Sequence, residues 1–413
     1  MNLIVIEEPI LSNNFKPFTY TRATFELVVG TTTLLSKIKR ILNPKNVYLL
    51  TPPYLKKIVS KRNPTCIVNP REVENDSLFV NPLIDINEIS EIKKNWSNNA
   101  EFVIYGENTF LAAKLNTKKS NAVLQYENPC NFNFRKLHTP KKESNMLYAR
   151  WPWDLINLNS RMLVYDSQFF KGKPLNKSLK DVRISGKPSN IFIGEDVIIE
   201  PFTFFDATNG PIMISDRCKI QSFSRIEGPC FIGKDSLIRS ANIGGSTSIG
   251  DFNKIGGEVC DSILMNYSNK AHTGYLGHSY VGEWVNIGAG ACNSNLKNTY
   301  GAVRVGDGKK STGKIKIGCF LADGVKVSIG TQIYAGKTIG AFSQVSGLIN
   351  DDIPSFLIYS GFSPKIKKEL YIKSIIATQS RMMQRRKIKQ SIIDRQLIND
   401  VFRISSSERN SNI

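Results

Sequence analysis

PIMISDRCKIQSFSRIEGPCFIGKDSLIRSANIGGSTSIGDFNKIG, residues 211–256, decides the fold of the C-terminal half. Isoleucine returns in it at every sixth position: Ile214, Ile220, Ile226, Ile232 and Ile238. After a one-residue slip, Ile243, Ile249 and Ile255 keep the count. Further on, Ile315, Leu321, Val327, Ile333, Ile339 and Val345 give six more positions in phase. A beat of six matches neither the helical turn of about 3.6 residues nor the two-residue alternation of a strand. It is the mark of a solenoid of short strands and tight turns, in which each inward aliphatic side chain stacks on its equivalents in neighbouring coils. Glycine directly follows several of these positions, as in Ile232-Gly233, Ile249-Gly250 and Ile339-Gly340, where a turn needs its backbone freedom.

The solenoid is expected over 187–355. Its period breaks around 260–280 and again at 293–313, and both breaks are expected to be loops that leave the coil and carry function. Upstream, residues 1–180 read as an α/β domain. Strand-length runs LIVI (3–6), VYLL (47–50), CIV (66–68) and FVIY (102–105) alternate with helix-like TLLSKIKRIL (33–42) and YLKKIVSKR (54–62), which predicts a parallel-type sheet under helices. A Lys/Gly/Ser-rich linker is expected near 171–189. Downstream, 364–405 reads as a basic, amphipathic helical extension, in which Arg381, Arg385 and Arg386 are placed to meet a phosphate.

Fifty-five basic residues against 35 acidic ones leave a net charge of +20, which favours anionic partners. No zinc-finger, helix-turn-helix or aromatic RNA-binding pattern points to nucleic acid, so phosphate-bearing small molecules are the expected partners. No apolar run approaches the roughly 20 residues of a membrane span, and the first residues, MNLIVIEEPI, read as a strand rather than a signal peptide. Seven scattered cysteines without a CxxC pair suit reduced thiols and a cytoplasmic setting.

The stretch from Asn269 to Asn295, NKAHTGYLGHSYVGEWVNIGAGACNSN, resembles the acetyltransferase half of the bifunctional glucosamine-1-phosphate acetyltransferase/uridylyltransferase family, which makes UDP-N-acetylglucosamine. Lys270, Ala271, His272, Tyr275, Leu276, Gly277, Asn286 to Gly290 and Asn295 carry the likeness. Over its whole length the chain looks most like the alternate form of that family found in Bacteroidetes and some archaea, through PFTYTR (17–22), PWDLINLN (152–159), GGEVCDSILMNYSNKAH (256–272) and MQRR (383–386). The resemblance implies a left-handed parallel β-helix of hexapeptide repeats that forms a homotrimer. It also implies acetyl-CoA as co-substrate, with an amino-sugar phosphate and UTP as further substrates.

His272 is the catalytic base that the resemblance implies, and an imidazole that titrates near pH 6.5 suits the removal of a proton from an amine. Glu258, Lys270, Tyr275, Asn286 and Asn295 are carried over as the substrate-binding set. The chain departs from the better-known members at Cys260, where they hold a phosphate-binding lysine; either another cation such as Lys270 is expected to take over that role, or the substrate differs. His278 lies outside the pattern.

In the N-terminal half, a nucleotidyltransferase is expected to follow its first strand with a glycine-rich loop, whereas this chain has EEPILSNNFKPFTYTR and no glycine. Lys16 and Arg22 are the expected nucleotide-binding cations there. Glu107, in GENTF (106–110), stands for the acid of a Mg2+-binding segment. The alternatives are an inactive or differently specific nucleotidyltransferase half, thymidylyl transfer included, and a non-catalytic hexapeptide scaffold. A zinc enzyme built on three histidines fits poorly, because the chain holds only His138, His272 and His278, and His138 falls outside the solenoid.

Overall fold

The computed structural model describes residues 2–96, 100–175, 179–306 and 310–410, apart from the side chain of Asn95. Contacts divide the chain into two compact units. The first comprises Met1–Leu27, Thr32–Trp151 and Ser391–Val401; the second comprises Val28–Thr31, Pro152–Gln390 and Phe402–Ile413.

The first unit is built on a seven-stranded sheet in the order Ile67–Val68, Asn46–Leu50, Asn2–Ile6, Ser77–Val80, Thr109–Leu115, Phe102–Gly106 and Lys141–Glu143. The first four strands are parallel. The expected parallel-type sheet is nevertheless mixed, because Thr109–Leu115 runs against both of its neighbours. Glu107 and Asn108 cause this: both adopt left-handed backbone (φ 48° and 70°), and the pair closes a two-residue hairpin of the kind that matches strand twist. Helices Leu34–Leu42, Lys56–Arg62, Ile86–Trp96 and Thr117–Leu124 complete the α/β pattern. The Thr33 side chain accepts from the Ser36 backbone N–H to start the first of these, and left-handed Asn43 ends it.

Glu7 closes the first strand and is 1% exposed. Its two carboxyl oxygens accept from Ser12 Oγ (2.6 Å) and Thr51 Oγ1 (3.0 Å), which ties down the segment that leaves the strand. Burial pushes this carboxyl from its ordinary 4.5 to about 7.

The second unit is a parallel β-helix with three faces. One face stacks Ile191–Ile193, Ile212–Ile214, Cys230–Ile232, Thr247–Ile249, Ile263–Leu264, Tyr280–Val281, Phe320–Leu321 and Thr338–Ile339, all parallel. Long strands such as Lys254–Cys260 bend across a corner and serve the other two faces. The isoleucines of the repeat are all 0% exposed and stack in three files, Ile214-Ile232-Ile249, Ile220-Ile238-Ile255 and Ile226-Ile243, within one core. Each is worth roughly 1.5–3 kcal/mol by burial.

Several boundaries differ from expectation. Around 260–280 the coil does not open: Ile263–Leu264, Asn269–Lys270, Tyr275–Gly277 and Tyr280–Val281 continue the ladders. The aliphatic period fails there because Lys270, in register with Ile255, takes an inward position and is 1% exposed. The break at 293–313 is a true excursion, which carries the antiparallel pair Arg304–Val305 and Lys310–Ser311. Ile315 still belongs to that excursion and is 57% exposed, whereas Ile317 re-enters the core at 0%.

The units part at Trp151 and Pro152 rather than near residue 180. Helix Pro152–Ser167 packs with the coil because Asn159 accepts from Gly30 N and Ser248 Oγ and donates to Ser246 O. Part of the expected linker, 176–178, lies outside the described residues. The C-terminal extension is no single helix: a hairpin, Leu357–Ser360 with Ile366–Glu369, precedes helices Ile372–Gln384 and Ile392–Ile404. The Ser391–Val401 stretch groups with the first unit, where Asp394 pairs with Lys61 at 2.8 Å.

Between pH 4.5 and about 7 the folded chain keeps a proton on Glu7 that the unfolded chain has released, so stability falls as pH rises through that window. The group's share is roughly 3 kcal/mol. Glu7→Gln is expected to flatten this slope in urea unfolding curves measured from about pH 5 to 8; an unchanged slope would count against a proton held at Glu7.

Candidate functional site

His272 stands just past Lys270, at a corner where Gly257 lies against Gly274 and Gly290 N donates to the Thr273 carbonyl, all three glycines at positive φ (69°, 123° and 73°). Gly274 is required there, since a Cβ would lie 2.2 Å from the Ala291 carbonyl oxygen of the next coil. The imidazole is exposed and lines a cavity of about 700 Å³. Its supports are inside: Lys270 Nζ donates to the backbone carbonyls of His272 (3.1 Å) and Gly256 (2.9 Å). Burial brings the Lys270 ammonium down to about 8. Lys270 therefore does not reach out to a phosphate, as the sequence suggested; it holds the backbone on which His272 is carried.

The cavity lies between the face that bears Lys254, Asn269, Asn286 and Lys326 in register and helix Ile372–Gln384 with the turn after it. Arg239, Lys254, Arg381, Arg385 and Arg386 line it, and among the described residues its wall includes no carboxylate. Burial, followed by the charges of Arg386, Arg385 and Arg239, pulls the Lys254 ammonium below its ordinary range. Arg386 is likewise lowered, first by burial and then by Arg385, while its Nη2 donates to Asn269 Oδ1 at 2.7 Å. Cations crowded without acids in a concave site are an electrostatic trap for an anion. Phe252, Tyr267 and Trp284 stack along the adjoining corner at 5.0 and 4.4 Å between ring centroids, and the last two join the cavity wall.

Of the residues expected in the substrate set, Asn286 joins His272 in this cavity. Glu258, Tyr275 and Asn295 belong to the neighbouring face, where Glu258 pairs in register with Tyr275 and Asn295 Nδ2 donates to the Tyr275 hydroxyl at 2.7 Å. Cys260 Sγ lies 3.3 Å from the same hydroxyl, and burial pushes its thiol up to about 11. Burial, then the bond to Cys260, drives the Tyr275 phenol up as well. Arg239 and Lys254 escaped the sequence reading. The signal for them was their position: Lys254 occupies the outward strand position that Asn269 and Asn286 hold on later coils.

In the first unit, Lys16 is exposed and sits 5.0 Å over the Tyr20 ring, and Arg22 is 2% exposed. In place of a glycine-rich phosphate loop there is a short helix, Pro9–Asn14, whose start is capped by the Glu8 carboxylate. Glu107 pairs with Arg150 at 2.6 Å, and that hydrogen bond holds its carboxyl below the usual range. Glu107 thus stands in a hairpin turn as one half of an exposed ion pair. Among the described residues, the three-ligand group found lies in the second unit instead.

Residues 3–173 match the family model described as sugar nucleotidyl transferase. The chain is 29% identical over 208 residues to the bifunctional sugar-1-phosphate nucleotidylyltransferase/acetyltransferase of Sulfurisphaera tokodaii, covering 49% of this chain and 45% of that one. To the bifunctional protein GlmU of Thermotoga sp. strain RQ2 it is 25% identical over 309 residues, 68% of this chain and 64% of that one. It thus spans about half to just under two thirds of the curated relatives it matches. Among solved structures, the Arabidopsis UDP-N-acetylglucosamine acyltransferase is 14% identical, with a TM-score of 0.25, over 50% of this chain and 78% of that one. That likeness carries no argument.

Lys270→Met keeps most of the buried volume but leaves the carbonyls of Gly256 and His272 without their donor. It is expected to cost about 1–3 kcal/mol of stability for each stranded acceptor. Denaturant unfolding of the purified variant checks this, and wild-type stability would remove Lys270 as the support of the His272 backbone.

Proposed function

We propose that this chain makes a sugar nucleotide in two steps: acetyl-CoA-dependent N-acetylation of glucosamine-1-phosphate, then uridylyl transfer from UTP to give UDP-N-acetylglucosamine. The observation that carries the first step is the cationic cavity with His272 in its wall. Acetyl-CoA brings a diphosphate and a further phosphate to any site that binds it, and Arg239, Lys254, Arg385 and Arg386 suit them. His272 then takes a proton from the substrate ammonium. The freed nitrogen lone pair attacks the thioester carbonyl, and an N–C bond forms as the carbonyl oxygen gains charge. Collapse breaks the C–S bond, the departing thiolate takes a proton from the imidazolium, and the new amide nitrogen releases its remaining extra proton to solvent. Tyr275, Asn286 and Asn295 are the hydrogen-bonding groups for the sugar and the developing oxyanion, and Glu258 attracts the ammonium before it is deprotonated. The two groups stand on neighbouring faces, as they would if a homotrimer completed each site across an interface.

The second step draws on the family match over 3–173 and on the two relatives' printed names. A second reading, an acetyltransferase whose N-terminal half is inactive or takes another nucleotide such as dTTP, is favoured by the Glu107–Arg150 pair and the Glu8-capped helix. A cytoplasmic setting agrees with seven cysteines that are all unpaired. No helix among the described residues is long and apolar enough to cross a membrane.

Intact protein given glucosamine-1-phosphate, acetyl-CoA and either UTP or dTTP, with each product followed separately, separates these readings. His272→Ala is expected to lower acetyl transfer at least about 100-fold with assembly unchanged by light scattering. Full activity in a folded variant would exclude His272 as the base. Arg385→Ala with Arg386→Ala is expected to raise KM for acetyl-CoA more than it lowers kcat.

A further inference from the structure

Cys260, Asp261 and His278 meet at one corner of the coil. The thiol sulfur, a carboxylate oxygen and an imidazole nitrogen all lie within 4.8 Å of one another. His278 Nε2 stands 3.8 Å from Asp261 Oδ2. Asp261 and His278 occupy successive coils, both in left-handed backbone (φ 46° and 52°), and the His278 N–H donates to the Cys260 carbonyl at 3.2 Å. Left-handed backbone is uncommon outside glycine and turns the two side chains off the same corner. Behind them, Asn295 Nδ2 lies 3.0 Å from His278 Nδ1 and 2.7 Å from the Tyr275 hydroxyl, which is itself 3.3 Å from Cys260 Sγ. One ring nitrogen thus faces the Asn295 amide and the other the Asp261 carboxylate.

We propose that this corner binds one divalent cation of the zinc type through Cys260 Sγ, an Asp261 carboxylate oxygen and His278 Nε2, with a fourth position open. A sulfur, nitrogen and oxygen donor set selects a borderline-soft cation over Mg2+ or Ca2+, which take oxygen. Bonds of about 2.0–2.3 Å in a tetrahedron set donors about 3.3–3.8 Å apart, so the three atoms need to close by about 1 Å. Asp261 has the room to move: its side chain is 42% exposed against 20% for His278. When the cation takes Nε2, the ring proton sits on Nδ1 and the Asn295 amide turns its oxygen to accept it, the usual outer support of a metal-bound imidazole. The open position adjoins Tyr275, so the cation offers an oxyanion the positive charge that buried Lys270 does not. That last consequence rests on the acetyl-transfer reading; cation binding does not.

The test is titration of the chelator-stripped, full-length chain with Co2+ and then Zn2+. Expected are one equivalent bound per chain, a sulfur-to-cobalt charge-transfer band, and loss of that band as Zn2+ displaces Co2+. Cys260→Ser is expected to abolish the band, Asn295→Ala to weaken binding by about 10–100-fold, and His272→Ala to leave it unchanged, with circular dichroism confirming each fold. A wild-type chain without the band at a full equivalent overturns the proposal, and so does a band that survives Cys260→Ser. An acetyltransferase inactive towards glucosamine-1-phosphate that still binds Co2+ through Cys260 overturns only the substrate reading.

Discussion

A single inward aliphatic side chain per short strand is the constraint on which the second unit depends. Once Ile220, Ile238 and Ile255 are stacked in the dark interior of the coil, the register of every neighbouring strand follows. Register then decides function, because residues far apart in sequence become neighbours on one face. Glu258 meets Tyr275, and Asn269, Asn286 and Lys326 line up as successive rungs. A one-residue slip would turn that whole set over to the other side.

Lys270 is the informative exception to this rule. It stands where an aliphatic residue belongs, between Ile255 and the coil of Ile287, and its amine is satisfied by carbonyl oxygens rather than by an acid. A buried amine is costly unless every donor finds an acceptor. Here the acceptors belong to the corner that presents His272, so the polar intrusion and the proposed base share one local structure. Lys326 repeats the pattern further along: burial brings it down to about 7, and it donates to the carbonyls of Trp284 and Gly324 beneath the aromatic stack. In the cavity, burial first and then neighbouring cations depress Lys254 of the coil and Arg386 of the turn after the helix, an arrangement that favours an anion.

The solenoid was legible in the sequence because its physics is periodic and one-dimensional. The errors fell where that simplicity ends. Ile315 kept the beat without being in the coil, since spacing cannot tell a coil from a loop that happens to hold an isoleucine at the right interval. The stretch 260–280 looked like a loop because a lysine filled an inward place. In the first unit the hairpin at Glu107 and Asn108 was missed, because it lacks the glycine that usually marks such a turn. The cavity is legible only in part: Arg381, Arg385 and Arg386 stand out in the sequence as phosphate-meeting groups and do line it, but Arg239 joins Arg386 only through the fold of a coil and a helix well apart in the chain. His272, by contrast, was found through a local motif and does line that cavity.

The central claim is that the anion trap beside His272 holds the phosphates of an acyl-CoA. A crystal structure of the full chain with coenzyme A bound tests it most directly. The account predicts ordered phosphates against Arg239, Lys254, Arg385 and Arg386, with the thiol end directed towards His272. Phosphates ordered elsewhere on the chain, with only solvent in this cavity, would contradict it.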